Sequence, residues 1–346
     1  MGTRTVALMH EVRESAASPA IVCEVGTSAG VIWRHAVGRL TYAPDAPPCT
    51  EATVFDLASL TKVIATTSLV MRLEREGRLA LDAPVSHYLP AWASVGGRVV
   101  TIRHLLTHAS GLPAHRRLYQ LASTPDALRS AVLAIPLERP PGAAAVYSDL
   151  GFLVLGWVLE ACAGDSLDGL WRSMWPASAP FLDYTPPHTM RDAMAPTEDD
   201  PWRGRVLQGE VHDEHAFVLG GVAPHAGLFG TAESVGVFGA TVLRTFTQHT
   251  WLGDPATMQR FAARDAVPGS SRALGWDTML PTSSCGTRLS PSAIGHTGFT
   301  GTSLWIDWER DRYIVILANR VHPTRSNERF VPMRARLHDA IIDDLG

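Results

Sequence analysis

With 346 residues, 46% of them hydrophobic and 18% charged, the chain has the size and balance of a globular protein with a large core. A formal net charge of -4 excludes the basic field that nucleic-acid binding needs, and it excludes a polybasic membrane patch. No apolar run is long enough to span a bilayer, and His10, Glu11, Arg13 and Glu14 stand where a secretory apolar stretch would lie.

In chain order, residues Val6 to Ser15 suit a short amphipathic helix. Ala20–Val25 and Gly30–Gly38 suit the strands of a hairpin, punctuated by Gly26 and Gly30. After a proline-rich loop comes Phe55-Asp56-Leu57-Ala58-Ser59-Leu60-Thr61-Lys62, which runs into an apolar stretch, Val63 to Met71, without Gly or Pro. That stretch is a buried helix, with Asp56 as its expected N-cap. Helices and long loops follow: a short helix over Arg103–His108, another over Asp126–Ile135, and an almost wholly apolar one from Gly151 to Glu160. Phe181 to Pro224 is irregular. Thr231 to Thr247 is helical again, then strands are expected at Leu274–Trp276, Ile294–Gly298, Thr302–Asp307 and Tyr313–Asn319, and a helix from Pro332 to Leu345. Strands at both ends with helices between them predict an α+β fold. One antiparallel sheet is assembled from both termini and flanked by helices, with an α/β lobe over residues 1–62 and 229–346 and an inserted helical lobe over 63–228. The groove between the lobes is the natural ligand site.

The four cysteines, Cys23, Cys49, Cys162 and Cys285, form no Cys-x-x-Cys pair. They read as free thiols in a reducing compartment, so the expected location is the cytoplasm.

Ser59 and Lys62 lie three residues apart on one helical face. An ammonium in so apolar a place must be paired or lose its proton, and a lysine with lowered proton affinity can deprotonate a neighbouring hydroxyl. Ser-x-x-Lys alone is weak evidence, because many helices contain it by chance. Two further stations strengthen it: Tyr147-Ser148-Asp149, where a loop enters the apolar helix, and His296-Thr297-Gly298 on a strand.

Taken together, these three stations resemble the serine hydrolases of the class C β-lactamase, DD-carboxypeptidase and family VIII esterase group, over roughly Ala20 to the end of the chain. The set parallels the Ser-x-x-Lys, Ser-Asp-Asn and Lys-Thr-Gly motifs of other penicillin-recognising enzymes. The resemblance implies a β-lactamase/transpeptidase-like fold and a reaction through an acyl-enzyme on Ser59. Lys62 and Tyr147 act as its base pair, and the backbone N–H groups of Ser59 and Phe299 form the oxyanion hole. Thr297 and Gly298 belong to the substrate strand, with Gly298 leaving it bare for an added strand of substrate.

Two positions depart from the family pattern. Asp149 stands where asparagine is usual, so it can hold Lys62 by charge but repels an anionic substrate group. His296 stands where lysine is usual, and is charged only near or below its own pKa. Arg320, just past Asn319, either supplies part of the missing charge or is a solvated strand-end arginine. His212 and Asp213 are candidate substrate contacts in a loop over the cleft. The pair His104 and His108 and the run His212-Asp213-Glu214-His215 suggest metal ligands, but no Glu follows His104 and adjacent loop residues rarely converge on one ion, so neither a metal nor a cofactor is expected. Trp157, Trp276, Trp305 and Trp308 read as packing. The expected function is a serine hydrolase of a small ester or a D-amino-acid amide or peptide, with weak or no β-lactamase activity. Its partner is a small-molecule or short-peptide substrate, of which peptidoglycan is one source, and neither nucleic acid nor membrane. The alternative is a catalytically impaired binding or sensor protein of the same fold.

Overall fold

Alternating apolar residues let one sheet bury both of its faces. The computed structural model describes residues 2–345, the side chains of residues 94 and 95 excepted. Helix α1 (Thr3–Glu14) leads into the hairpin of β1 (Ala20–Thr27) and β2 (Gly30–Gly38). Along β1, Ile21, Cys23 and Val25 point to one side and Ala20 and Val22 to the other, and all five are fully buried.

The short β3 (Phe55–Asp56) precedes Ser59, and the helical lobe follows. It is built from α2 (Ser68–Arg75), α3 (Ile102–Leu106), α4 (Pro125–Leu133), α5 (Asp149–Ala163) and α6 (Leu167–Met174). Every residue of α5 from Leu150 to Leu159 is buried, as its unbroken apolar sequence requires. The region after α6 holds only short elements: β4 (Leu182–Tyr184), β5 (Asp199–Asp200), β6 (Arg205–Val206), α7 (Glu214–Val218) and β7 (Leu228–Gly230). The chain returns to the sheet through α8 (Ala232–Thr245) and α9 (Pro255–Ala262). It then adds β8 (Asp277–Thr278), β9 (Ile294–Thr297), β10 (Ser303–Asp307) and β11 (Arg312–Ala318), and ends in α10 (Phe330–Leu345).

The main sheet is antiparallel throughout, in the order β2-β1-β11-β10-β9-β8. Cys23 of β1 lies opposite Ile316 of β11, so the two ends of the chain meet at its centre. On one face, Met9 and Val12 of α1 and Leu337 and Ile341 of α10 pack against Ile21, Ile314 and Ile316. On the other, Val235, Phe238 and Val242 of α8 meet Val22, Val315 and Leu317 in a core that continues into the helical lobe. Trp276 and Trp305 are buried packing residues. The expected strand at Leu274–Trp276 is displaced to Asp277–Thr278, because Gly275 turns the backbone through the left-handed region, with φ +84°. No single helix among the described residues is long and apolar enough to cross a membrane.

Ile316 is fully buried between the central strand and both terminal helices. Ile316→Ala is expected to cost about 2–5 kcal/mol, read as a lower urea midpoint at unchanged m-value.

Candidate active site

Three segments from distant parts of the chain converge at the seam of the lobes. The first is the turn at Ser59. Asp56 is not the helix cap its sequence position suggests. It sits in β3, paired with β7, and its buried carboxylate accepts from Ala58 N–H at 2.8 Å and from His212 N–H at 2.7 Å. Those bonds hold Ala58 at φ 46°, a conformation that a non-glycine residue adopts only when its surroundings impose it. Tight turns then carry the chain from Leu57 to Lys62, and Lys62–Thr67 continues as a wholly buried π-helical turn before α2. Such turns are frequent at functional sites.

The second segment is the loop entering α5. Ser148 caps that helix through Gly151 N–H and donates to Pro113 O at 2.7 Å, while its own N–H donates to His108 Nδ1 at 3.0 Å. His108 therefore braces this loop, and His104 Nδ1 closes the capping box of α3 with Thr101, so the two histidines do not pair on a metal. Asp149 opens the helix, where its dipole favours a carboxylate.

The third segment is the end of β9. Thr300 Oγ1 donates to Asp56 O at 2.8 Å and Thr302 Oγ1 donates to Leu57 O at 3.0 Å, stapling this strand end to the Ser59 turn. Packing demands glycine at 298 as well. A Cβ at 298 would lie 2.0 Å from Thr302 Oγ1 and 2.7 Å from Leu57 O.

Together these segments place Ser59 Oγ 2.9 Å from Lys62 Nζ and 2.8 Å from Tyr147 OH. Lys62 Nζ also donates to Asp149 Oδ1 at 2.7 Å and to the His225 carbonyl at 3.2 Å, so all three of its protons have acceptors in a fully buried position. Of the two states open to so buried a lysine, paired or deprotonated, the structure shows the paired one. Burial does favour the neutral amine, but Asp149 and Tyr147 outweigh it and raise the proton affinity of Lys62 above the ordinary value. Tyr147 is raised as well: burial pushes it up, Lys62 offsets part of that, and Asp149 adds to it. At rest the pair thus holds one proton too many, and losing it leaves a base in contact with Ser59. The Lys62 ammonium and the Arg272 guanidinium lie 4.9 and 5.2 Å from the centre of the Tyr147 ring, so two cations flank the phenolate that would form. The N–H groups of Ser59 and Phe299 have no backbone acceptor among the described residues. That leaves both available to a developing oxyanion.

His296 lines the same cleft but supplies no charge. Burial, reinforced by Arg272 and Lys62, drops its pKa well below the ordinary value, and Nδ1–H donates to Thr297 O at 2.8 Å. The cations come from elsewhere. Arg272, Arg320 and Arg334 line a cleft of about 280 Å³ together with Ser59, Tyr147, His296 and Gly298. Arg320 is 6% exposed, so it is not a solvated strand-end residue; it stacks 4.6 Å over the Phe299 ring and donates to Asn327 O. Arg334, also 6% exposed, reaches Gly298 O at 3.4 Å, and its Nε has no partner among the described residues. Burial, with Arg320 beside it, pushes Arg334 down to about 10, which still leaves it charged at neutral pH. Arg272 and Arg334 were not singled out from the sequence. Arg334 had a readable signal, since it falls on the buried stripe Phe330, Met333, Leu337 and Ile341 of α10.

His212 and Asp213 do not line the cleft wall that Arg334 shares. His212 Nε2 bonds to Glu198, its ring stacks on Phe299, and Asp213 caps α7 while holding His225 Nε2 at 2.8 Å. Both brace the site from behind.

In comparison with known families, the Beta-lactamase family model covers residues 7–335. The chain belongs to the beta-lactamase family. It is a serine hydrolase of that family, similar to the Escherichia coli K12 protein named "Putative D-alanyl-D-alanine carboxypeptidase", with 32% identity over 79% of this chain and 70% of that one. The Salmonella newport protein of the same name is 30% identical over 82% of this chain and 73% of its own length. Two solved structures share the fold at low identity. The class C beta lactamase from Rhodobacter sphaeroides has a TM-score of 0.77 at 20% identity, covering all of both chains. EstCE1, "a hydrolase with promiscuous acyltransferase activity", has a TM-score of 0.76 at 21% identity, covering 98% of this chain and 97% of that one.

Asp149 raises both members of the Lys62–Tyr147 pair, so Asp149→Asn is expected to lower the pKa at which the pair loses its extra proton. The acid limb of the rate of Ser59 labelling by a fluorophosphonate should then move to lower pH. A limb that stays in place would show that Asp149 does not set the proton affinity of the pair.

Proposed function

We propose that this serine hydrolase cleaves a short peptide ending in a D-amino acid with a free carboxylate, in the manner of a DD-carboxypeptidase. The observation that carries this reading is the pair of buried guanidiniums, Arg320 and Arg334, neither of which forms a salt bridge among the described residues, while Glu198 and Glu328 act on Arg320 only from beyond contact distance. A buried cation without a counter-ion is costly, and a substrate carboxylate entering the cleft relieves that cost. Arg272 is partly engaged, with Asp277 at 3.9 Å, and adds to the field. This departs from the sequence-based reading that the changes at Asp149 and His296 disfavour an anionic substrate group, which weighed Arg320 but not Arg272 or Arg334. The names of the E. coli and Salmonella relatives point the same way.

In the proposed cycle the Lys62–Tyr147 pair, once deprotonated, takes the Ser59 proton as Oγ attacks the carbonyl of the penultimate residue. The oxyanion is held by Ser59 N–H and Phe299 N–H. The pair returns the proton to the departing D-amino acid, the C–N bond breaks, and an acyl-enzyme remains. Water then attacks it, giving a proton to the pair, which passes that proton to Ser59 Oγ as the acyl C–O bond breaks; the shortened peptide leaves as a carboxylic acid that ionises in solution. Asp149 keeps Lys62 beside Ser59 throughout. The unpaired cysteines, three of them buried, accord with the cytoplasmic placement, where the substrate would be a small soluble peptide rather than intact wall.

The test compares a diacetylated lysyl-D-alanyl-D-alanine peptide with its C-terminal amide, a p-nitrophenyl ester and nitrocefin. The acid is expected to exceed the amide at least tenfold in kcat/KM, with Arg334→Gln removing most of that ratio and Ser59→Ala abolishing turnover. Equal rates for acid and amide would overturn the carboxylate reading. Ester turnover well above that of the acid would instead favour an esterase. Stoichiometric acylation of Ser59 without release would favour a binding or sensor protein.

A further inference from the structure

Behind the active site, three potential metal ligands from two segments converge. Asp213 and His215 flank the start of α7, and His225 lies on the loop leading to β7. One ligand atom from each lies within 4.8 Å of those of the other two. The sequence places Asp213 and His215 too close together for a loop to direct both at one ion. The start of a helix removes that objection: Asp213 is the N-cap and His215 the second helical residue, and His225 closes the third side.

His215 supplies the second observation. It is 1% exposed, and its Nε2 finds no hydrogen-bond partner among the described residues. Buried imidazole nitrogens ordinarily have partners, so this one asks for an explanation. The exposed His115 ring lies 5.4 Å from the His215 ring, tilted by 46°, beside the cluster.

We propose that Asp213, His215 and His225 form a binding site for one divalent transition-metal ion, of the zinc type. Two imidazoles and one carboxylate suit a borderline-soft cation and not magnesium or calcium, which take oxygen ligands. In a tetrahedral site with ligands at about 2.0–2.1 Å, neighbouring donor atoms stand about 3.3 Å apart. Asp213 Oδ1 and His225 Nε2 are now 2.8 Å apart across a hydrogen bond, so exchanging its proton for an ion separates them only slightly.

The placement gives the ion a consequence. His225 is the residue whose carbonyl accepts from Lys62 Nζ, and Asp213 caps the helix that begins beside it. An ion tying His225 to α7 would fix the loop that positions the base pair, while making no contact with substrate. The ion is structural in this role, and it is independent of which substrate the cleft takes.

The experiment uses the full chain, stripped with chelator and titrated with zinc chloride, with metal counted by mass spectrometry after desalting and affinity measured by competition with a chromogenic chelator. One zinc per chain and a rise in Tm on loading are expected. His215→Asn, which keeps a polar side chain of smaller reach, should weaken zinc at least tenfold and remove the Tm rise. Cobalt in place of zinc should give the visible absorption of a four-coordinate site in the wild type alone. Less than stoichiometric zinc in the wild type, or unchanged affinity in His215→Asn, would overturn the site. Fluorophosphonate labelling of Ser59 in the stripped protein reads the hydrolase assignment separately, so failure of one leaves the other intact.

Discussion

The ammonium of Lys62 is the constraint around which the site is arranged. It is fully buried, and an isolated charge there would not persist. Its survival depends on Ser59 from its own turn, Asp149 from the start of α5, and the carbonyl of His225 from the loop before β7. Those three partners lie on three separate segments, so one desolvated charge ties together the two lobes and the strap between them. Removing a partner would leave a buried charge uncompensated, which costs far more than an ordinary hydrogen bond is worth.

The same arrangement sets the chemistry. A lysine held by a carboxylate is a poor base at rest, and the tyrosine beside it is raised as well. Reactivity therefore belongs to the pair, whose single removable proton determines when Ser59 can be deprotonated. Asp149 fixes geometry and protonation together, whereas an asparagine would fix only the first. Around this centre the strain at Ala58 is carried by the buried Asp56 carboxylate, and the approach of β9 is carried by the hydroxyls of Thr300 and Thr302. Each is a local cost offset by bonds from another segment.

The cleft beyond Ser59 answers the departure from lysine at His296. A neutral, buried histidine there keeps the shape of the strand without its charge, and the positive field is moved to Arg272, Arg320 and Arg334. Two of these arginines come from the end of the chain, one following β11 and one on α10. Helix α10, which covers the sheet, thus also lends a cation to the cleft wall.

The sequence by itself determined the periodicities and the chemistry-bearing triplets: a two-sided sheet from both termini, a buried α5, and the motifs that hold Ser59, Lys62 and Tyr147. Those are local properties, written in the spacing of apolar residues and in short motifs. Only the tertiary structure decided the state of those groups. The protonation of Lys62, the neutrality of His296, the turning of His212 toward Glu198, the crowding that demands glycine at 298 and the meeting of Asp213 with His215 and His225 all depend on distances between residues far apart in the chain. Arg334 lies between the two cases: its place on an apolar helical stripe was legible, but the direction of its charge was not. Desolvation and pairing act through space, and no spacing along a chain reports them.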